Sequence, residues 1–123
     1  MSHSPALSRR EEIASGLARV REVIDKSNRQ VTLVVVTKNF PVSDLEILYD
    51  LGERNFGENR DQEGKVKAPN LESDSIWHFQ GQIQSNKLKS IINWADVIHS
   101  LDEIRHAETI NDLVAKLLAK REK

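Results

Sequence analysis

The chain has 123 residues, with 18 Lys plus Arg against 19 Asp plus Glu, a formal net charge of −1. That is the size of one ordinary domain, and its near-neutral charge lacks the basic field that a nucleic-acid binder carries. Cysteine is absent, which excludes a disulfide framework and a thiolate zinc site and fits a reducing compartment. The longest apolar run, Leu33-Val34-Val35-Val36, is far too short to span a bilayer, and Met1 to Glu12 has no apolar core of a secretory signal. These features predict a cytoplasmic chain with no membrane partner.

The hydrophobic pattern alternates between two periods. Ser8 with Glu11 forms an S-x-x-E capping box, and Ile13, Leu17, Val20 and Ile24 follow at helical spacing, predicting a helix over 8–27. Val31 to Val36 is mostly β-branched, and its second half lacks polar alternation. The expectation is a strand buried on both faces, as in parallel sheets. Ser43 with Glu46 suggests a second capping box, for a helix lined by Leu45, Leu48 and Tyr49 and closed by Gly52 at C′. Asn55 to Asn59 reads as a short strand entering a loop, and Asp61 to Lys67 as a short helix ended before Pro69.

Ile76-Trp77-His78-Phe79 is a third strand, after which Ser85 is placed to cap a helix carrying Leu88, Ile91, Ile92 and Ala95. Asp96 to His99 is a fourth strand. Ser100 with Glu103 suggests a third capping box, opening a helix lined by Ile104, Ile110, Val114, Leu117 and Leu118 and ending in Lys120-Arg121-Glu122-Lys123. Strand–helix units thus begin near 31, 55, 76 and 97. Strands that alternate with helices imply right-handed crossovers and a parallel sheet.

In parallel α/β sheets, sites form at the carboxyl ends of the strands. Those ends are Thr37-Lys38, Gly57-Glu58-Asn59, His78 through Gly81, and His99-Ser100, and all four are polar. Lys38 stands out. A lysine at a strand end either snorkels into water or is partly desolvated, and desolvation lowers its pKa and frees the amine to attack an aldehyde. The segment from Trp77 to Lys87 reads either as a loop with a serine cap or as a helix start offering N–H groups to an anion. His78 and His99 lie on neighbouring strands, but no third zinc ligand joins them. Glu58 reads as a helix-dipole or hydrogen-bonding partner rather than a general base, and Trp77 and Trp94 as core or interface residues.

Four strings carry a family resemblance: Val34-Val35-Val36-Thr37-Lys38, Asn55-Phe56-Gly57-Glu58-Asn59, Trp77-His78-Phe79-Gln80-Gly81 with Gln84-Ser85-Asn86-Lys87, and Ile98-His99-Ser100-Leu101-Asp102. In order and spacing the chain resembles the pyridoxal phosphate homeostasis proteins, of the alanine-racemase-like fold type III group. The resemblance implies a TIM-type barrel whose first-strand lysine, here Lys38, binds pyridoxal 5′-phosphate as an internal aldimine. Asn59 and His78 match motif positions at the cofactor mouth. Family members are cofactor carriers or regulators without an established catalytic activity. Departures are Val-Val-Thr-Lys where Ala-Val-Ser-Lys or Ala-Val-Thr-Lys is common, Asn39-Phe40-Pro41 in place of a Thr-Lys-Pro run, and Gln80 at a usually aliphatic position.

A (β/α)8 barrel takes roughly 250 residues. Four βα units behind a leading helix therefore suggest that residues 1–123 are one partial domain, the first half of such a barrel. The family's phosphate grip comes mainly from second-half loops, so weak cofactor affinity is expected here. Two lost charge-assisted hydrogen bonds cost on the order of a hundredfold. Open strand edges predict self-association or pairing with a second half-barrel. Two alternative readings are a fragment of a racemase-like fold type III enzyme, for which Tyr49 is poorly placed, and a non-binding remnant acting only through association.

Overall fold

The computed structural model describes residues 8–121. Its elements are α1 (Arg9–Lys26), β1 (Val35–Val36), α2 (Val42–Asp50), β2 (Asn55–Glu58), α3 (Asp61–Lys67), β3 (Ile76–Phe79), α4 (Leu88–Trp94), β4 (Val97–Ile98) and α5 (Ile104–Arg121). Short 3-10 turns precede β3, at Ala68–Asn70, and α4, at Ser85–Lys87. The four strands form one sheet in the order β1-β2-β3-β4, and every pair is parallel. The fold is α/β, four parallel βα units behind a leading helix, as the pattern predicts.

Alternation along the strands sorts side chains to two faces. One face carries Phe56, Trp77 and Phe79, all buried, against Leu45 and Leu48 of α2 and Leu88, Ile91 and Trp94 of α4. The rings interlock: Trp94 meets Trp77 and Phe79 edge-on, with centroids 6.3 and 6.0 Å apart. The other face has no helix over it among the described residues. Its central row, in register, is Val36, Gly57, His78 and Val97. Val36 is 46% exposed, so the expectation that this strand is buried on both faces is not met. Burial follows coverage, and helices cover one side of the sheet only.

Local signals explain most element ends, and three assignments need correction. The Ser8–Glu11 capping box is formed in full. Gly52 ends α2 at φ +102, with its N–H on the Tyr49 carbonyl and the Glu53 N–H on the Leu48 carbonyl, a Schellman motif. Ser43, in contrast, lies inside α2. Pro41 is the N-cap, because its fixed φ already matches the extended entry. Ser85 opens a 3-10 turn rather than an α-helix, and its hydroxyl pairs with His106. Ser100 does not cap α5, which starts at Ile104. Its hydroxyl donates to the Gln80 carbonyl. The face of α5 that packs inward carries His106, Ile110, Leu113 and Leu117, while Ile104, Val114 and Leu118 are exposed.

Helix α1 buries no residue fully, but Ile13 and Leu17 pack against the core and two guanidinium forks tie it to the rest of the fold. Arg9 clasps Asp44 of α2 at 3.0 and 2.7 Å, and Arg21 clasps Glu53 at the start of the β2 unit. Such bidentate pairs add geometric specificity to their energy. Among the described residues no helix is long and apolar enough to cross a membrane.

Gly64 of α3 is a sensitive packing position. A Cβ there would overlap the Trp94 ring, and that ring is anchored through its Nε1 donating to Asp61 at 2.8 Å. In an unpacked helix Gly→Ala gains up to about 1 kcal/mol. Here overpacking wins, so Gly64→Ala should lose about 1–3 kcal/mol in urea unfolding.

Candidate functional site

The four strand exits lie at one end of the sheet, because all strands are parallel. Lys38 follows β1 after one residue, Thr37. Thr37 turns toward the helix layer and is fully buried, and Lys38 begins the return. The Phe40 N–H donates to the Thr37 carbonyl at 3.0 Å, so Thr37–Phe40 is a β-turn with Lys38 at its second position. Asn39 occupies the third position at φ +66, a left-handed conformation that asparagine tolerates well. Lys38 is exposed, so the desolvation weighed for it is absent. Its strand is at the sheet edge, and the sheet face beside it is uncovered.

Beneath that turn lies a buried polar cluster that the sequence did not signal. Glu58 is fully buried on the helix side of β2, not at the open face. Its Oε2 accepts from the Thr37 hydroxyl at 2.5 Å and from the Lys67 ammonium at 2.7 Å. Lys67, on α3, also donates to the Thr37 carbonyl at 2.7 Å and to Glu63 Oε2 at 2.9 Å. Three donors thus meet three acceptors, which fully satisfies the ammonium. Burial alone would lower the Lys67 pKa, but the hydrogen bonds from Glu58 and Glu63 outweigh it and hold it above the ordinary lysine value. Glu63 lies below its ordinary value, chiefly through its hydrogen bond with Lys67. The i, i+4 spacing of Glu63 and Lys67 was the only available hint, since the partners lie on β1 and β2.

His78 sits on the open face with little exposure, although its neighbours Val36 and Val97 are exposed. Its Nε2 is 2.9 Å from Asn55 Oδ1, and its Nδ1 is 2.9 Å from His99 Nε2. With Asn55 Oδ1 as acceptor, His78 Nε2 carries the proton, and His99 Nε2 donates to Nδ1. The three side chains form a hydrogen-bonded row across β2, β3 and the exit of β4. In the sequence Asn55 is legible only as a strand residue. Asn59 is exposed beyond β2 and lines a cavity of about 350 Å3 together with Arg60, Gln82, Gln84 and Lys87. Among the predicted site residues, Lys38, Asn59 and His78 therefore share one end of the sheet, on three successive strands. No direct contact links them.

Two further arrangements are structural. Ser85 Oγ and His106 Nε2 are 2.9 Å apart, but buried His106 Nδ1 has no partner among the described residues. With no carboxylate on Nδ1 among the described residues, Glu103 lying 3.9 Å from Nε2 instead, the pair tethers the turn before α4 to α5 rather than forming a nucleophilic triad. Tyr49 lies near the end of α2, and its hydroxyl donates to Asp74 in the loop leading into β3. That loop is at the opposite end of the sheet from Lys38, so Tyr49 cannot oppose Lys38 as a racemase acid would.

The pKa of His78 is held below the ordinary 6.5, mainly by burial, assisted by His99 and partly offset by Asp96. An unfolded chain therefore binds a proton near pH 6.5 that the folded chain refuses. This contribution to stability is complete above pH 6.5 and is lost as pH falls through the folded value. Urea midpoints should fall with pH in that window. His78→Asn should flatten that slope, and an unchanged slope would assign it to other groups.

A scan against protein-family models finds no match. The "Pyridoxal phosphate homeostasis protein" of Corynebacterium glutamicum is 42% identical over 104 residues, covering 82% of this chain and 47% of that protein. The protein of the same name from Escherichia coli K12 is 36% identical over 112 residues, covering 82% and 48%. Among solved structures, PipY of Synechococcus elongatus PCC7942 with pyridoxal phosphate bound superimposes with a TM-score of 0.73 at 35% identity. It covers 85% of this chain and 49% of PipY. The chain thus spans about half the length of the relatives it matches, and its sheet corresponds to the N-terminal half of their barrel. By sequence and by fold it is a homologue of the pyridoxal phosphate homeostasis proteins.

Proposed function

We propose that this chain is the N-terminal half of a pyridoxal phosphate-binding barrel that takes part in pyridoxal phosphate homeostasis, with the Lys38 amine as the attachment point. The observation that carries this reading is the position of Lys38. It lies two residues past the end of the first strand, in a hydrogen-bonded turn, at the sheet end where Asn59 and His78 also emerge. Pyridoxal phosphate, when bound, supplies an aldehyde that a primary amine can attack.

The described residues fit the aldehyde end of that group. Lys38 is exposed, so its nitrogen is reachable, and the turn limits its search. Asn59 offers an amide at the rim. His78 is held by Asn55 and His99 and presents a neutral, fixed ring on the open face. For the phosphate, Arg60 and Lys87 provide two cations beside the Asn59 cavity, with the Asp61 carboxylate in the same lining. Affinity should be weak on that account. The absence of cysteine and the near-neutral charge agree with a cytoplasmic small-molecule binder.

The cofactor reading is tested by mixing the protein with pyridoxal phosphate and reducing with borohydride. A stable label should map to Lys38 and vanish in Lys38→Ala. Equal labelling of Lys38→Ala would refute the assignment.

We further propose that the open face and the free edges of β1 and β4 pair with a second four-stranded half-barrel, another copy of the chain serving that role. Val36, Ile76 and Val97, between 38% and 46% exposed, form its apolar contact. Light scattering after size exclusion should give a mass above that of one chain. A stable monomer at high concentration would refute the association.

A further inference from the structure

We propose that Lys67, with Glu58 and Glu63, forms a positioning clamp for the Lys38 amine, fixing the turn from both sides. The proposal rests on the reading of Lys38 as the attachment point, and it asks what holds that amine in place.

The clamp grips the residues on either side of Lys38. On one side, the Lys67 ammonium binds the Thr37 carbonyl at 2.7 Å, while Glu58 accepts from the Thr37 hydroxyl. On the other, the Asn39 N–H donates to Glu63 Oε2 at 3.2 Å. That same oxygen accepts from Lys67 at 2.9 Å. One carboxylate oxygen and one ammonium therefore connect Thr37 to Asn39 around Lys38. The left-handed Asn39 is held in this arrangement by its own N–H bond and by the Phe40 bond to Thr37.

Stability alone gives a poor account of this cluster. Glu58 is fully buried and Lys67 nearly so, and desolvating an ion pair commonly costs as much as the pairing returns. Apolar side chains of similar volume would fill the same space between β1, β2 and α3. What they could not do is hold a backbone carbonyl and a backbone N–H two residues apart. The polar cluster gives orientation, and the group it orients is the lysine between those two backbone groups. Glu63 is the accessible arm, with its side chain about a quarter exposed, so it can be removed without leaving a buried charge unpaired.

The decisive variant is Glu63→Ala, compared with Glu63→Gln in the full chain. Amide hydrogen exchange of Asn39 should quicken in Glu63→Ala, and borohydride-trapped labelling of Lys38 by pyridoxal phosphate should slow roughly tenfold. Reductive methylation of Lys26, an exposed lysine on α1, should not change and serves as the internal control. Glu63→Gln retains an acceptor for Asn39 and should recover most of the labelling rate. Unchanged Asn39 exchange and unchanged labelling in folded Glu63→Ala would overturn the clamp. If pyridoxal phosphate labels nothing in the parent chain, the Asn39 exchange measurement still decides the clamp. The attachment reading alone then falls.

Discussion

The carboxylate of Glu58 meeting the ammonium of Lys67 is the contact on which the candidate site depends. It lies in the layer between sheet and helices and joins β1, β2 and α3 at the level where the strands give way to loops. A charge pair in that place demands full hydrogen bonding, since each unmet polar group in a buried setting is costly. Thr37 and Glu63 meet most of that demand. In doing so they fix the loop after β1, so the packing layer controls the geometry of the functional end. Glu58 Oε1 has no hydrogen-bond partner among the described residues.

The two faces of the sheet divide the work. The covered face is a close-packed aromatic and aliphatic core in which Phe56, Trp77, Phe79 and Trp94 set the spacing of α3 and α4. Trp94 links packing to the loops as well, since its indole N–H and the Ser90 hydroxyl both bond Asp61 at the start of α3. The open face mixes apolar and polar groups. Val36, Ile76 and Val97 are exposed there, whereas His78 is screened by its bonds to Asn55 and His99. An imidazole held on both ring nitrogens by Asn55 and His99 is a fixed dipole on this face, suited to orienting a polar ligand.

Glycine at two points makes room for close neighbours at the same end. A side chain at Gly57 would collide with Gln80, and one at Gly81 would overlap the Asn59 carbonyl. The loops after β2 and β3 are thus seated directly against each other. The Gln80 side chain occupies the space over Gly57 in the open-face row, so the departure from an aliphatic residue at that position places an amide on the candidate site's floor.

The sequence by itself determined the four strand–helix units, their parallel arrangement, the Ser8 and Gly52 helix boundaries and the polar character of the strand exits. Each of these follows from residue spacing within one segment or from steric rules that act over a few residues. Lys38, Asn59 and His78 were legible as residues at strand ends for the same reason. Only the tertiary structure decided which face Glu58 occupies, that Lys67 is its partner, that Asn55, His78 and His99 form one row, and that Ser43 and Ser100 cap nothing. These depend on groups nine to twenty-three residues apart meeting across strands. No local pattern records such meetings, because hydrogen bonding between strands leaves the spacing within each strand unchanged.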